Sequence, residues 1–252
     1  MAKKDVLEEL RKQGLLLLGS DPRFVVQRVS WGLPELDGIT GGGVPRGRVT
    51  ILNGEYSSAK SFLVQLLLRS GLEQGLTVAY IDTERSYDPV WWAQVGIPLD
   101  KIMVLQPDTG EHAVDAAVAL AEAGTDIIAV DSLAGLIPES LMKSETEQQF
   151  IGTQARLINR FFQRVLSHAH SSAIVCTNQL RSTIAPGPID TMPGGMGQLF
   201  FSSLILRTRR EGWIEESDVR KGFYIKVVCR KSKVGSPWGE CLLPFYFRGY
   251  VD

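Results

Sequence analysis

The sequence predicts an α/β domain built on a central, mostly parallel, twisted sheet with helices on both faces. Two observations predict this fold. Between residues 48 and 178, short apolar runs alternate with helix-length segments, a pattern typical of a parallel sheet covered on both faces. Beyond residue 198 the apolar runs follow one another with short turns, which predicts an antiparallel extension of the sheet.

The alternating elements can be placed approximately along the chain. In order, they are a strand at Val49–Asn53, a helix at Ser61–Gln74, a strand at Thr77–Asp82, a helix near Pro89–Val95, a strand at Ile102–Gln106, a helix at Glu111–Ala123, a strand at Asp126–Asp131, a helix over about 148–169 and a strand at Ser172–Asn178. Ahead of them we expect a short helix within residues 3–18 and an extended segment at Phe24–Val29. Residues 181–197 are expected to form a long mobile loop, and loops of that length are commonly functional.

Composition bounds the class of protein. The 252 residues fit one α/β domain, and 44% apolar with 22% charged residues is ordinary for a soluble protein. The net charge of −1 means that a nucleic-acid-binding surface would need locally concentrated basic residues. Cys176, Cys229 and Cys241 are too few for a disulfide framework and lack metal-ligand spacing, which favours a reducing cytoplasm. No apolar run approaches the length of a membrane span.

The segment Gly54-Glu55-Tyr56-Ser57-Ser58-Ala59-Lys60-Ser61 lies between a predicted strand and a predicted helix, which is the context of a phosphate-binding P-loop. Backbone N–H groups would hold the phosphates of ATP, Lys60 would contact the β and γ phosphates, and the Ser61 hydroxyl would bind Mg²⁺. Ala59 stands where the second glycine is expected. If that position has a positive φ, alanine adds strain of about 1 kcal/mol, and fast hydrolysis becomes less certain. Taken alone, the octapeptide also fits an ordinary strand–turn–helix junction.

Three polar residues follow or end other predicted strands. Asp131 ends an apolar strand, where P-loop enzymes place a carboxylate that orients magnesium. Glu84 follows the strand ending at Asp82 and could polarise the attacking water, although a solvated loop acid fits as well. Gln179 could sense the γ-phosphate, and a polar strand cap is the alternative.

With these motifs in order, residues 29–250 resemble the RecA recombinases. The similar stretches are Gly47-Arg48, the P-loop, Ile81-Asp82-Thr83-Glu84, Asp88-Pro89, Gln106-Pro107-Asp108-Thr109-Gly110-Glu111, Val130-Asp131-Ser132-Leu133-Ala134, Asn178-Gln179-Leu180-Arg181, Gly194-Gly195 and Lys231-Ser232-Lys233. The resemblance implies a RecA-like P-loop NTPase core over 29–252, with residues 1–28 as an assembly segment. In a departure from bacterial RecA proteins, we expect no C-terminal domain of their type.

The resemblance also implies roles for single residues. Glu84 falls at the catalytic glutamate, and Gln179 at the glutamine that couples the γ-phosphate to the second DNA-binding loop. Asp88 and Trp91 fall where the family contacts adenine. Lys231 and Lys233 match two lysines that, in the family, reach the ATP of the neighbouring subunit. The alternative is that both lie in a solvated turn after a strand at Tyr224–Cys229.

Two DNA-binding loops are implied at about 139–152 and 181–197. Their candidate contact residues are Lys143, Phe150, Ile151, Arg156, Arg181, Ile184, Gly194 and Gly195. The first loop is acidic as well as basic, and the second has no aromatic residue, so contact mainly with the DNA backbone is expected. The basic residues Arg207, Arg209 and Arg210 form a cluster on or after the following strand. The cluster could hold phosphate, or it could belong to a solvated edge strand.

The expected function is an ATP-dependent recombinase that forms a homo-oligomeric filament on single-stranded DNA and pairs it with duplex DNA. It would work in the cytoplasm, at the nucleoid or in a phage-infected host. A non-catalytic accessory paralogue that binds nucleotide and a recombination partner is the main alternative, and a ring-shaped motor is the third.

Overall fold

The computed structural model describes residues 3–142, 147–182, 190–191 and 194–247. Within these residues the chain forms twelve strands, eight of which share one sheet. The strands are β1 (Arg28–Val29), β2 (Val44–Pro45), β3 (Arg48–Gly54), β4 (Val78–Asp82), β5 (Ile102–Leu105), β6 (Ile127–Asp131), β7 (Ala173–Gln179), β8 (Arg181–Ser182), β9 (Asp190–Thr191), β10 (Leu204–Glu216), β11 (Val219–Ser232) and β12 (Glu240–Tyr246).

Helices connect the parallel strands, and two short 3₁₀ turns lie at Pro22–Phe24 and Leu133–Gly135. The helices are α1 (Lys3–Lys12), α2 (Pro34–Thr40), α3 (Lys60–Glu73), α4 (Pro89–Gln94), α5 (Gly110–Glu122), α6 (Glu139–Met142), α7 (Glu147–His168) and α8 (Gly197–Phe201). Side chains cap the N-termini of α4 and α5: Asp88 accepts a hydrogen bond from Val90 N, and Thr109 accepts one from His112 N.

The large sheet has the spatial order β12-β11-β10-β3-β7-β6-β4-β5. The six strands from β10 to β5 are mutually parallel, and β11 and β12 extend the sheet in antiparallel fashion. The predicted fold class, a mostly parallel sheet with an antiparallel extension, is therefore confirmed.

Side chains alternate between two apolar layers, one on each face of the sheet. In β6, Ile127 and Ala129 lie in the layer that contains the buried residues of α3, whereas Ile128 and Val130 lie in the layer covered by α5 and α7. Because successive strand side chains point to opposite faces, burial on both faces produces the continuous apolar runs seen in the sequence.

The N-terminal region differs from the prediction. The expected extended segment at Phe24–Val29 is a strand only at Arg28–Val29, where β1 pairs with β2. Asp21 accepts from the backbone N–H of Arg23 at 2.9 Å, and this cap bends the chain into the turn at Pro22–Phe24. Such capping by Asp competes with extended structure, which explains the difference.

Two further predictions need correction. The described part of the expected loop 181–197 contains the paired strands β8 and β9 and the start of α8, which was not predicted. Residues 183–189 and 192–193 lie outside the described residues. The alternative of an edge strand is wrong at Arg207, because as far as Thr208 the strand β10 lies between β3 and β11 and pairs with both. Beyond Thr208 the strand β3 has ended, and Arg209 and Arg210 are exposed and pair with β11, so the alternative of a solvated edge strand fits these two residues.

Candidate nucleotide site

The candidate site lies where four parallel strands end. Gly54 of β3 is the register partner of Gln179 of β7, and Asp131 of β6 is the partner of Asp82 of β4. Helix α3 begins at Lys60, a few residues after β3. Since ligands bind at the carboxyl ends of strands in open α/β sheets, the topology brings the sequence-predicted residues of the P-loop and the strand ends to one edge.

Gly54 has no room for a side chain. A Cβ at this position would clash with Thr208 and with Ser58 Oγ. Ser58 Oγ lies 2.8 Å from Thr208 Oγ1 and also donates to the carbonyl oxygen of Glu55 at 2.8 Å. The loop is thereby folded tightly on itself and attached to β10.

Ala59 has φ 62° and ψ 28°, so it lies in the left-handed region. The strain that the sequence analysis attached to a positive φ at this position therefore applies, at about 1 kcal/mol. Ser57, with φ 55°, lies in the same region. These two left-handed residues, separated by Ser58, lie just before the start of α3.

The Lys60 ammonium lies over the loop. Its Nζ donates to the carbonyl oxygens of Gly54 at 3.1 Å and Glu55 at 2.8 Å. Burial lowers the pKa of Lys60, while the charges of Asp131, Glu84 and Glu55 act in the opposite direction. A partly buried cation with nearby carboxylates is well placed to bind an anion together with a metal ion.

Asp131 is buried, and both of its oxygens receive hydroxyl hydrogen bonds. Tyr80 donates to Oδ2 at 2.9 Å, and Thr177 donates to Oδ1. Burial and then the charge of Asp131 raise the pKa of Tyr80 well above its usual range, so Tyr80 stays a neutral donor. The carboxylate that the sequence analysis assigned to magnesium is thus held rigidly between β4 and β7.

Glu84 lies in the exposed loop after β4 and is held from β6. Ser132 Oγ donates to Glu84 Oε1 at 2.5 Å. Thr83 Oγ1 accepts from Ser132 N and donates to Ser132 O, both at 2.8 Å. The loop that carries Glu84 is therefore attached to Ser132, the residue that follows Asp131.

Asp82, to which no role was assigned from the sequence, organises this loop. Asp82 is fully buried and accepts hydrogen bonds from the backbone of Ser86 at 3.1 Å and of Tyr87 at 2.9 Å. Gln106 Nε2 adds a third at 2.9 Å. Asp82 is a carboxylate at the end of an apolar strand, like Asp131, and this position in the sequence could have indicated its role.

The two residues assigned to adenine contact lie at the start of α4. Asp88 caps the helix, and its side chain accepts from Val90 N at 2.9 Å. Trp91 is half-buried and donates from Nε1 to Gln65 Oε1 of α3 at 3.0 Å. The indole is thereby attached to the helix that follows the P-loop.

Lys231 and Lys233 lie at the end of β11, against α8. Lys231 Nζ donates to the carbonyl oxygens of Leu199 and, at 2.8 Å, Ser202. Lys233 Nζ donates to Phe200 O at 2.5 Å. Burial and the charge of Lys233 lower the pKa of Lys231. The expectation of a strand ending at Cys229 is wrong, because β11 continues to Ser232 and includes Lys231.

Gln179 lies two residues before the second candidate DNA loop, and its neighbour Asn178 is hydrogen-bonded to Gln198, just beyond the far end of that loop. Asn178 Nδ2 donates to Gln198 Oε1 at 2.8 Å. Gln198 Nε2 donates to Gly195 O at 3.1 Å. Sequence reasoning missed Gln198, since nothing local marks a buried glutamine in a short helix.

The structure describes only some of the remaining DNA candidates. Arg156 is exposed on α7 and donates to Thr153 Oγ1 at 3.2 Å, and Gly194 and Gly195 have φ 99° and 70°. The backbone at Phe150 and Ile151 belongs to α7 and that at Arg181 to β8. Their side chains, and Lys143 and Ile184 entirely, lie outside the described residues.

Across the part of the chain that the structure describes, no helix combines the length and apolar character needed to cross a membrane. Within the same residues, no group of three or more His, Cys, Asp or Glu side chains could hold a metal ion. A magnesium ion here would therefore depend on Ser61, Asp131 and oxygen atoms from the nucleotide and water, as is common for Mg²⁺.

Comparison with known proteins gives a consistent result. Residues 1–250 match the family model of the RecA N-terminal domain. The chain is 34% identical to Protein RecA of Thermus aquaticus, over 100% of this chain and 76% of that protein. It is 32% identical to Protein RecA of Aquifex aeolicus, over 95% of this chain and 71% of that protein. With Protein RecA of Acholeplasma laidlawii the identity is 34%, over 94% and 73% respectively.

Proposed function

Since the chain belongs to the RecA family, we propose that it is an ATP-dependent DNA recombinase that assembles on single-stranded DNA and pairs it with homologous duplex DNA. The observation that carries the proposal is the meeting of Gly54, Gln179 and Asp131 at one edge of the sheet. Gln179, the residue that would sense the nucleotide, is thereby next to the P-loop and lies two residues before the segment that would contact DNA.

The residues present fit ATP and Mg²⁺. Gly54 leaves no room for a side chain at the start of the loop, and the Lys60 ammonium lies over the loop. Helix α3 begins at the end of the loop, and the N-terminus of a helix favours an anion such as phosphate. Ser61 and Asp131 would hold Mg²⁺, which when bound neutralises charge on the phosphates. Asp88 and Trp91 would contact the adenine.

Turnover would depend on Glu84 as the base that polarises water, with Ser132 fixing one of its oxygens. Lys231 and Lys233 would supply positive charge to the nucleotide of a neighbouring subunit, as an arginine finger does in trans. In the single chain both ammonium groups are held by the carbonyl groups of Leu199–Ser202. Contact between these two ammonium groups and the nucleotide of a neighbouring subunit would therefore depend on the position of α8.

DNA binding would involve the two loops at about 139–152 and 181–197, with Arg156 beside them. Contact mainly with phosphates predicts little sequence preference. Residues 1–28 would promote assembly into a filament, or a ring, and the site of action would be the cytoplasm, at a nucleoid or in a phage-infected host.

One observation favours a second candidate, a nucleotide-binding accessory protein with weak turnover. Ala59 has a positive φ where glycine would be unstrained. The accessory protein would hydrolyse ATP only weakly, whereas the recombinase would show DNA-stimulated hydrolysis. The rate of hydrolysis therefore distinguishes the two candidate functions.

The test is the rate of ATP hydrolysis with and without single-stranded DNA, combined with electron microscopy of the assemblies. The proposal predicts DNA-stimulated hydrolysis and helical filaments, both lost in Lys60→Ala. Lys101→Ala, an exposed lysine away from the loop, is the matched control. Nucleotide binding without hydrolysis or self-assembly would support the accessory protein, and closed rings would support a motor.

A further inference from the structure

We propose that Gln198 is a positioning residue that connects the nucleotide edge of the sheet to the segment at residues 194–197 and to helix α7. This inference rests on the proposed function, because it names the residue through which that site and the DNA-binding region communicate. No role for Gln198 follows from the P-loop or from the motifs in the sequence.

The connection consists of two hydrogen bonds in series, the first buried and the second partly buried. Asn178 Nδ2 donates to Gln198 Oε1 at 2.8 Å, and Gln198 Nε2 donates to Gly195 O at 3.1 Å. Asn178 and Gln198 are both 0% exposed. An amide removed from water is costly unless its donors and acceptors are matched, so the geometry of this pair is strongly specified.

On one side, the pair is attached to the P-loop strand. Asn178 is the register partner of Asn53, and Gln179 is the partner of Gly54. The next residue, Leu180, donates its backbone N–H to Gly54 O at 3.0 Å. A displacement at the start of the P-loop is therefore transmitted to the end of β7.

On the other side, the pair is attached to α7. A Cβ at Gly194 would clash with Ile158, and a Cβ at Gly197 would clash with Asn159. The segment that Gln198 holds through Gly195 is thus packed closely on the helix that carries Arg156. Because packed contacts of this kind leave little free space, a shift of residues 194–197 requires α7 or the segment to rearrange.

These observations place Gln198 between β7, which pairs with the strand that leads into the P-loop, and α7, which carries the proposed DNA contact Arg156. Methionine has nearly the shape of glutamine but cannot form either hydrogen bond. In Gln198→Met we expect the affinity for nucleotide to change less than about threefold, since no atom of the P-loop is altered. The gain in affinity for single-stranded DNA caused by a slowly hydrolysed ATP analogue should fall at least about tenfold, within the usual range of coupling between sites.

A second readout does not require DNA. Hydrogen exchange of the amides at residues 194–202 should slow on addition of the ATP analogue in the unaltered protein, and this slowing should be absent in Gln198→Met. Gln163→Met, which replaces an exposed glutamine of α7, is the matched control and should behave like the unaltered protein. Gln198→Glu keeps the acceptor for Asn178 but not the donor to Gly195, so it should lose most of the slowing.

The outcomes separate the inference from the proposed function. Absence of nucleotide-dependent DNA binding in the unaltered protein would contradict the proposed function, while the exchange experiment would still decide the role of Gln198. If Gln198→Met fails to fold, Gln198→Glu provides the exchange measurement. Unchanged slowing in the folded Gln198 variants, or none in the unaltered protein, would overturn the inference.

Discussion

The hydroxyl of Tyr80 donates a hydrogen bond to Oδ2 of Asp131 at 2.9 Å, across the neighbouring strands β4 and β6. This donor orients the carboxylate assigned to magnesium, and removal of such outer contacts commonly weakens metal binding 10- to 100-fold.

We therefore expect Tyr80→Phe to raise the Mg²⁺ concentration needed for half-maximal nucleotide binding by about tenfold. Phenylalanine keeps the edge-to-face ring contact with Trp92, so the fold should survive. A magnesium titration with a fluorescent nucleotide measures the effect. Tyr87→Phe, whose ring also contacts Trp92, serves as the control, and an equal shift in both variants would contradict the assignment.

The strain at Ala59 predicts a difference between two identical substitutions. Ala123 has φ −72°, in the right-handed region, whereas Ala59 has φ 62°. Replacement by glycine raises the conformational entropy of the unfolded chain equally at both sites. A difference between the two variants in the free energy of unfolding therefore reflects the backbone of the folded state. We expect the free energy of unfolding to be about 1 kcal/mol higher for Ala59→Gly than for Ala123→Gly. Urea denaturation measures both, and equal values would show that Ala59 is unstrained.

Removal of the Glu84 carboxylate tests its role in hydrolysis. We expect Glu84→Gln to lower the hydrolysis rate by roughly 10²- to 10⁴-fold while nucleotide affinity stays nearly unchanged, since a general base acts in the transition state. Glu73→Gln, an exposed glutamate on α3, is the control. Loss of nucleotide affinity with an unchanged rate constant would instead assign Glu84 to binding.

Asp126 connects strand ends at the edge of the sheet opposite the nucleotide. It accepts from Arg46 Nη1 at 2.8 Å and from Thr77 N at 2.9 Å. Burial raises the pKa of Asp126, but the hydrogen bonds from Thr77 and Arg46 outweigh it, so the net pKa is lowered. The resulting stabilisation is present above the unfolded pKa and is lost as pH falls through the folded pKa, below the ordinary value of 3.8.

We expect Asp126→Asn to cost about 1 kcal/mol of unfolding free energy at neutral pH and progressively less below pH of about 4. Denaturation across this pH range measures the trend. Asp108→Asn is the control, because the Arg85–Asp108 pair is exposed and such pairs contribute little. A cost for Asp126→Asn that is independent of pH would contradict this account.

Exposed apolar side chains at the N-terminus support a role in assembly. Leu15 is 71% exposed, Leu18 is 70% exposed and Val25 is 71% exposed. We expect deletion of residues 1–28 to abolish filaments while nucleotide binding is retained, because apolar surface of this kind is stabilised by a partner. Sedimentation and electron microscopy measure assembly, with Leu15→Ser plus Leu18→Ser as a milder variant. Filaments formed by the deleted chain would refute the role.

Elements of the fold and of the site could be predicted from the sequence where they depend on the local pattern of apolar and turn residues. The strand, turn and helix around Lys60 and the strand ending at Asp131 were located because burial on both faces and glycine-rich turns leave a periodic signal. Gln198 could not be found in this way, because its partner Asn178 is 20 positions away and α8 is too short to show periodicity. The interior position of Arg207 depends on which strands pair, and that is decided by the whole sheet.

The most direct test of the central claim is the binding of labelled single-stranded DNA by fluorescence polarisation, with and without a slowly hydrolysed ATP analogue. We predict that the analogue strengthens binding by about tenfold or more and that Lys60→Ala abolishes this gain. DNA binding that is unaffected by nucleotide in the unaltered protein, or equal in Lys60→Ala, would contradict the claim that ATP controls DNA binding.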